Sequence, residues 1–524
     1  MSLDERALAG ARTASPPVPA RRRSPGPAQA VVVIAPVLLT IALGLWGIRR
    51  KNTMWGDESV TYQLAHRDLS QIWHTAQHVD LVHALYYTVM HGVFGLFGGG
   101  LLTLRLPSVL AMSAAASAVG LLGLRLAGPR AGLLAGLVFP VLPQVQKYAQ
   151  EGRSYAMVCA LVAWATYALV VSVPHRARWW WAVYGSTMLL ACLLHEFAVL
   201  ALVAHGVTLV VSRVPRLVLR TWSVTAAGVV AGLLPLAMCS AGQAEQVSWI
   251  GGPVRLPGFL TVAVVGVLCA LAPVRARGPM RLRALAVPIV VLPALLLLTA
   301  SLVKPLFVDR YVLYSNIGIA LLLGACMDYL HRLRQSPGSA WSAALAVLAA
   351  VAVLAALVPT SLSLRTPQSR SNDATAVGAA VRKEGRPGDG LLYLPDRHRM
   401  WIGAVPEDTR LLTDLALAQD PVSSNTLEGV ELPARDIAAR MLEFDRIVAV
   451  RDPAGAPSPA NPQEQAKTST LRCHFREHGT THVNGARITV YVRNHGDPGR
   501  ADWPGRRPGL PGPPWRSGGR WRCG

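Results

Sequence analysis

The stretch HALYYTVMHGVFGLFG, residues 83–98, decides the fold. It is apolar, yet it has only sixteen residues, among them two histidines and two tyrosines. A membrane-spanning helix takes about 20 predominantly apolar residues. Whether this run crosses a bilayer fixes the side of every later loop, so the topology of the chain hangs on it.

The surroundings are those of a membrane protein. The chain has 524 residues, 52% of them hydrophobic and only 15% charged, with a mean hydropathy of +0.35. Soluble domains carry about a quarter charged residues. Apolar runs recur from residue 31 to residue 359 and then stop. Candidate spans fall at 30–47, 104–124, 131–146, 153–173, 179–194, 197–212, 219–240, 257–274, 284–303, 309–329 and 340–360. The run 131–146 is short and carries Pro140 and Pro143. The first run is too long, and too poorly followed by small residues, for a cleaved signal peptide.

The net charge is +22, but no basic stripe is interleaved with aromatics, so nucleic acid is not an expected partner. The arginines instead sort by loop. If 83–98 does not cross and the N-terminus is inside, Arg125, Arg130, Arg176, Arg178, Arg213, Arg216, Arg220, Arg275, Arg277, Arg281, Arg283, Arg332 and Arg334 all lie inside. The outer loops beyond the first keep Lys147, Arg153, Arg255, Lys304 and Arg310. If it crosses, every arginine-rich loop lies outside. The positive-inside bias therefore predicts an interfacial helix on the outer surface. The expected architecture is a polytopic α-helical membrane protein of about 11 transmembrane helices, with that helix in the first outer loop. It is bound for the plasma membrane, N-terminus cytoplasmic.

Residues 361–495 have soluble composition. DATAVGAAVRKEGRPGDGLLYL reads as helix, Gly-rich turn and strand, and FDRIVAVRD and ARITVYVRN as further strands. A small extracytoplasmic α/β domain is expected there. Segments 1–29 and 496–524 read as disordered by composition. Cys159, Cys192, Cys239, Cys269 and Cys326 fall in apolar runs and read as small hydrophobes. Cys473 and Cys523 lie outside them, and no zinc spacing is present.

The topology places MWGDESVTY, residues 54–62, outside, in a loop running from about residue 48 to 103. The loop also offers His66, His74, His78, Asp80, His83, Tyr86 and Tyr87. The same face receives Gln144, Lys147, Tyr148, Gln150, Glu151, Arg153 and Tyr155, then Lys304, Asp309, Arg310 and Tyr311. Carboxylates facing cations where lipid meets water suit a lipid-linked phosphosugar. Cations hold the departing phosphate, and a carboxylate takes the proton of an attacking hydroxyl.

In order, WGDESVTY, HALYYTVMHGVFGLFG, LRLPSVL, YAQEGRSYAM and DRYVLYS resemble the motifs of the GT-C glycosyltransferases. The family 39 branch is meant in particular, with its protein O-mannosyltransferases, aminoarabinose transferases and actinobacterial mannosyltransferase-like proteins. The resemblance spans about residues 30–330. It implies a GT-C-like fold and transfer with inversion, plausibly of mannose, from a polyprenyl-phosphate donor to a protein, glycan or lipid acceptor on the outer face. By it, Asp57 is the base and Glu58 the second acidic residue. The family's His/Lys-Pro-Pro-Leu-Tyr-Tyr motif falls on His83, Ala84, Leu85, Tyr86 and Tyr87, without the prolines. The basic phosphate contact falls on His83. Glu151 and Arg153 match the family's QEAR-Y motif, and Arg310, with Tyr311 beside it, matches a late outer-loop arginine.

Each residue also has an ordinary reading. Asp57 and Glu58 are acceptable at a helix N-terminus, and Tyr86 and Tyr87 in an interfacial aromatic belt. Lys147 and Arg153 could anchor span ends, with Glu151 pairing Arg153, and Arg310 could snorkel. His74 and His78, an i, i+4 pair, leave a divalent metal open. A transporter or lipid-linked-sugar flippase is the competing function. It calls for ionisable residues at mid-membrane, often in repeated halves. No internal repeat is visible, and His205 is the main polar exception inside the spans. A catalytically inactive scaffold is the third reading.

Overall fold

The computed structural model describes residues 26–174, 177–243, 257–273, 277–334, 348, 352, 355–456 and 461–494. The expected span at 340–360 lies largely outside them, as do both terminal segments and Cys523. The helical part comprises α1 (Pro27–Leu45), α2 (Gly56–His66), α3 (Leu69–His78), α4 (Ala84–Phe97), α5 (Leu101–Leu126), α6 (Pro129–Val138), α7 (Pro143–Ala149) and α8 (Tyr155–Ser172). It continues with α9 (Trp179–Leu194), α10 (Leu200–Val211), α11 (Arg216–Ala241), α12 (Pro257–Cys269), α13 (Leu282–Ala300) and α14 (Ser315–Arg334). Among the described residues, five helical stretches are long and apolar enough to cross a membrane: Gln29–Asn52, Leu101–Leu126, Tyr155–Ser172, Arg216–Ala241 and Leu282–Ala300. The run 131–146 is not one helix. Pro140 sits in a 3₁₀ turn and Pro143 opens α7, because a proline lacks the N–H that would continue the ladder.

Helices α5 and α8 form the centre and α11 the periphery. Small residues let backbones approach. A Cβ on Gly120 would lie 2.5 Å from the Val32 carbonyl oxygen, one on Gly132 2.5 Å from Leu124 N, and one on Gly324 2.4 Å from Ala135 N. This packs α1, α5, α6 and α14 into one core. Inside it, His205 is spent on Thr166 Oγ1 and Tyr184 Oη, each at 3.0 Å.

Run 83–98 forms the fourteen-residue helix α4. At 1.5 Å per residue it is about 21 Å long, short of the ~30 Å hydrocarbon core. Leu96 and Phe97 at its end are largely exposed.

The C-terminal part is a five-stranded sheet in the order β2 (Thr413–Asp414), β1 (Gly390–Leu394), β5 (Arg446–Arg451), β7 (Ala486–Arg493), β6 (Phe475–Val483). β1 pairs parallel with β2 and β5, and the other pairs are antiparallel. β1 is apolar throughout because both its faces are covered. Leu391 and Tyr393 meet α15 (Ala374–Glu384) and α16 (His398–Ile402). Leu392 and Leu394 meet α17 (Ala434–Met441) and α18 (Pro462–His474). A short hairpin, β3 (Leu417–Gln419) and β4 (Val430–Glu431), stands apart from the sheet.

This part seats on α2. Ala374 N–H donates to the Met54 carbonyl at 2.7 Å, and Gly56 N–H to Asn372 Oδ1 at 2.6 Å. Ser59 Oγ donates to the Trp401 carbonyl at 2.7 Å, and Gln63 Nε2 to that of Met400 at 2.6 Å.

Candidate active site

Helix α2 begins with Asp57 and Glu58 in its first turn, where carboxylates complement the helix dipole. Neighbours on a helix point about 100° apart, and the two carboxylates have different surroundings. Asp57 lines a cavity of about 600 Å³. Glu58 is 0% exposed and is not among the residues lining that cavity. It takes a two-pronged contact from Arg105, Nε to Oε1 and Nη2 to Oε2, both at 2.7 Å. It also accepts from Arg50 Nη2 and, at 3.0 Å, from Gly152 N–H. Burial alone would raise the Glu58 carboxyl, but Arg105 and Arg50 outweigh it and hold it at about 2. The geometry thus departs from the expectation that both acids face substrate: Glu58 is consumed inside the protein.

Arg50 reaches Glu58 from an unusual turn. Arg50, Lys51 and Asn52 have φ of 42°, 57° and 63°, a left-handed run that costs roughly 1–2 kcal/mol per residue.

Asp57, His83, Arg153, Arg310 and Tyr311 line the one cavity, joined by Asp80, Tyr155, His195, Glu196 and Lys304. Arg310 Nη2 lies 3.5 Å from Asp57 Oδ2. Its guanidinium sits 5.4–5.8 Å from the rings of Trp55, Tyr155 and Tyr311, within cation–π range. On the other side Asp80 holds a left-handed φ of 58°. Its carboxylate takes the His83 ring at 2.7 Å and the Tyr87 hydroxyl, with Arg153 at 3.6 Å. Arg153 Nη1 donates to Tyr87 Oη at 2.9 Å. Burial works against the Asp80 charge, yet His83, Arg153 and Tyr87 keep its carboxyl well below the usual range. Burial and Arg153 push the His83 imidazole down, towards its neutral form.

Four expected contacts do not reach the cavity wall. The Tyr87 hydroxyl instead donates to Asp80 and accepts from Arg153. Tyr86 is buried, its hydroxyl without a hydrogen-bond partner among the described residues. Glu151 is buried against Arg370, 3.2 Å away, and burial raises its carboxyl. Lys147 lies beside Tyr148, its ammonium 5.1 Å from the ring, and burial lowers it. Glu151 does not pair with Arg153, as the simpler reading had it; Arg370 takes that place because the segment leading to α15 lies over the 150–154 loop. The metal left open by His74 and His78 finds no third ligand: the described residues contain no group of three or more His, Cys, Asp or Glu fit to hold one ion. The His78 ring instead bonds the His74 carbonyl at 2.8 Å.

Asp80 and Tyr155, grouped on the outer face by the sequence without a role of their own, line the cavity, as does His195 at the end of α9. The sequence carried no signal for Met400, Leu427 and Glu428, which line the cavity from the C-terminal part.

No protein-family model and no curated protein matches the chain. Solved structures do. ArnT from Cupriavidus metallidurans in the apo state superposes with a TM-score of 0.55 at 13% identity, covering 87% of this chain and 97% of that one. ArnT bound to undecaprenyl phosphate gives 0.53, at the same identity and coverage. At this identity the likeness is one of fold: the chain has the helical GT-C-like architecture with a small C-terminal sheet.

Proposed function

We propose that this chain is an integral membrane glycosyltransferase that moves a sugar, plausibly mannose, from a polyprenyl-phosphate donor to an acceptor hydroxyl on the extracytoplasmic face. The observation that carries the reading is the juxtaposition of Asp57 with Arg310 and Arg153 around one cavity. The fold supports it, since ArnT is a protein of this fold that has been solved with undecaprenyl phosphate bound. In this reading 30–360 is the membrane-embedded catalytic part and 361–495 an outer domain resting on it.

Asp57 accepts the proton of the acceptor hydroxyl. The hydroxyl oxygen attacks the anomeric carbon as the bond from that carbon to the phosphate oxygen breaks, and the electron pair leaves on the phosphate. A single displacement inverts the anomeric centre. Arg153, Arg310 and Lys304 hold the phosphate as its charge grows, while His83, whose Nδ1–H is given to Asp80, donates to it through Nε2 only when the ring is protonated. Phosphate is a good leaving group, so the site needs no strong general acid. Glu58 is a positioning residue that fixes the turn carrying Asp57.

The test is Asp57→Asn in membranes given labelled polyprenyl-phosphate mannose. Removing a general base costs on the order of 10²–10⁴-fold, so transfer should fall by at least a hundredfold with donor binding retained. Full transfer by the variant refutes the assignment.

A further inference from the structure

We propose that the loop between β3 and β4 forms an acceptor subsite, and that Glu428 selects a carbohydrate acceptor by taking hydrogen bonds from its hydroxyls. The inference rests on the transferase reading above and adds the class of acceptor to it.

The loop is built to hold a fixed shape. Asp420 Oδ1 accepts from the backbone N–H groups of Val422 and Ser423 at 2.9 and 3.1 Å. Thr426 Oγ1 accepts from Gly429 N–H at 2.9 Å. Gly429 has a φ of 79°, which glycine adopts without steric cost. Arginines pin the loop from both parts of the chain. Arg67, at the end of α2, donates to the Thr426 carbonyl at 2.8 Å, and Arg399 of α16 to the Glu428 carbonyl at 2.7 Å. Leu427 is buried in the core of the helical part. The loop thus forms one wall of the cavity, carrying Leu427 and Glu428 beside Met400.

The walls differ in their cations: all of those lining the cavity lie on the helical wall, beside Asp57, Asp80 and Glu196. The cations Arg153, Arg310 and Lys304 come from the ends of the membrane helices, where a lipid phosphate would arrive. The C-terminal wall contributes a carboxylate and two aliphatic side chains. A carboxylate repels phosphate, so this wall suits a neutral, hydroxyl-rich partner. A pyranose has an apolar face of C–H groups and a rim of hydroxyls. Met400 and Leu427 offer a surface for the face and Glu428 acceptor oxygens for the rim. A carboxylate has about four acceptor positions. Glu428 is only partly buried at the cavity wall; burial and Asp396 raise its carboxyl, and the hydroxyls of a vicinal diol can donate to its oxygens.

The test uses the full chain in lipid nanodiscs with methyl α-mannoside, methyl α-glucoside and methyl β-galactoside as probes. Saturation-transfer NMR should detect at least one of them on the wild type, and Glu428→Ala should weaken that binding about tenfold or more, the scale of a lost hydrogen bond to a charged group. In turnover with polyprenyl-phosphate mannose, Glu428→Ala should raise the KM for the glycoside by a similar factor and leave the KM for the donor unchanged. Glu428→Gln, which keeps one acceptor oxygen, should lie between. Absence of binding by all three glycosides overturns the proposal. So does a rise in donor KM, or a Ser/Thr peptide serving as acceptor with kinetics indifferent to Glu428. If the glycoside binds and Glu428→Ala releases it, but the wild type consumes no polyprenyl-phosphate sugar, the transferase reading fails and the subsite stands.

Discussion

Glu58 is a buried carboxylate that accepts hydrogen bonds from Arg50, Arg105 and Gly152. These donors tie the end of α1, the wall helix α5 and the loop bearing Arg153 to the turn that presents Asp57. Removing one partner of a buried ion pair strands the other charge, at roughly 3–5 kcal/mol. Glu58→Gln should therefore lower the Tm by several degrees and reduce activity. Acid should do the same to the wild type. The folded carboxyl sits at about 2, against about 4.5 unperturbed. Its contribution, roughly 3 kcal/mol, is present above pH 4.5 and lost as pH falls towards 2. Melting curves across that window should converge on those of Glu58→Gln at the acid end. Curves that stay parallel would refute the link. The sequence showed the acid pair but could not divide it. The division comes from a helical turn of about 100° between neighbours and from Arg105, 47 residues away. Asp80 was visible as one polar residue of the outer loop but not as the partner of His83, Tyr87 and Arg153, because its place depends on a left-handed backbone that nothing in its neighbours announces.

At the scale of elements, α4 tests the topology. If it rests on the outer surface, a cysteine at the exposed Ser70 of α3 should react with a membrane-impermeant maleimide in intact cells, in a background without the native cysteines. A cysteine at Arg130, at the start of α6, should react only after permeabilisation. Labelling of both from the same side would mean that α4 crosses; the reverse pattern would mean that the whole chain is inverted, with the cavity opening to the cytosol. Most elements were legible from apolar runs, whose length and spacing respond to local composition. The break of 131–146 was foreshadowed by its two prolines, which remove backbone donors wherever the tertiary structure puts them. Likewise DATAVGAAVRKE and GLLYL became α15 and β1, because an N-capping Asp373 and a two-sided apolar strand are local signals.

At the scale of the molecule, the helical and sheet parts share the site, which composition could not foretell. Contacts such as Arg370–Glu151 and Arg67 to the Thr426 carbonyl join residues hundreds of positions apart. Arg370→Ala should leave Glu151 buried without its cation. It should loosen the C-terminal part, seen as faster hydrogen exchange in β1 and β5 and a melting temperature lower by several degrees. Unchanged exchange would mean that the pair adds nothing to the seating.

Gly56, the first residue of α2, has no side chain, and the C-terminal part lies directly on it. A Cβ there would fall 2.7 Å from Trp401 Nε1 and 3.3 Å from Asn372 Nδ2. Modular engineering meets an obstacle at this spot. Grafting an outer portion from a distant homologue would bring its own bulk to a position shaped for one indole ring. A working hybrid would have to exchange residues 54–63 together with the graft, whereas one joined only at the linker should express but fail to turn over.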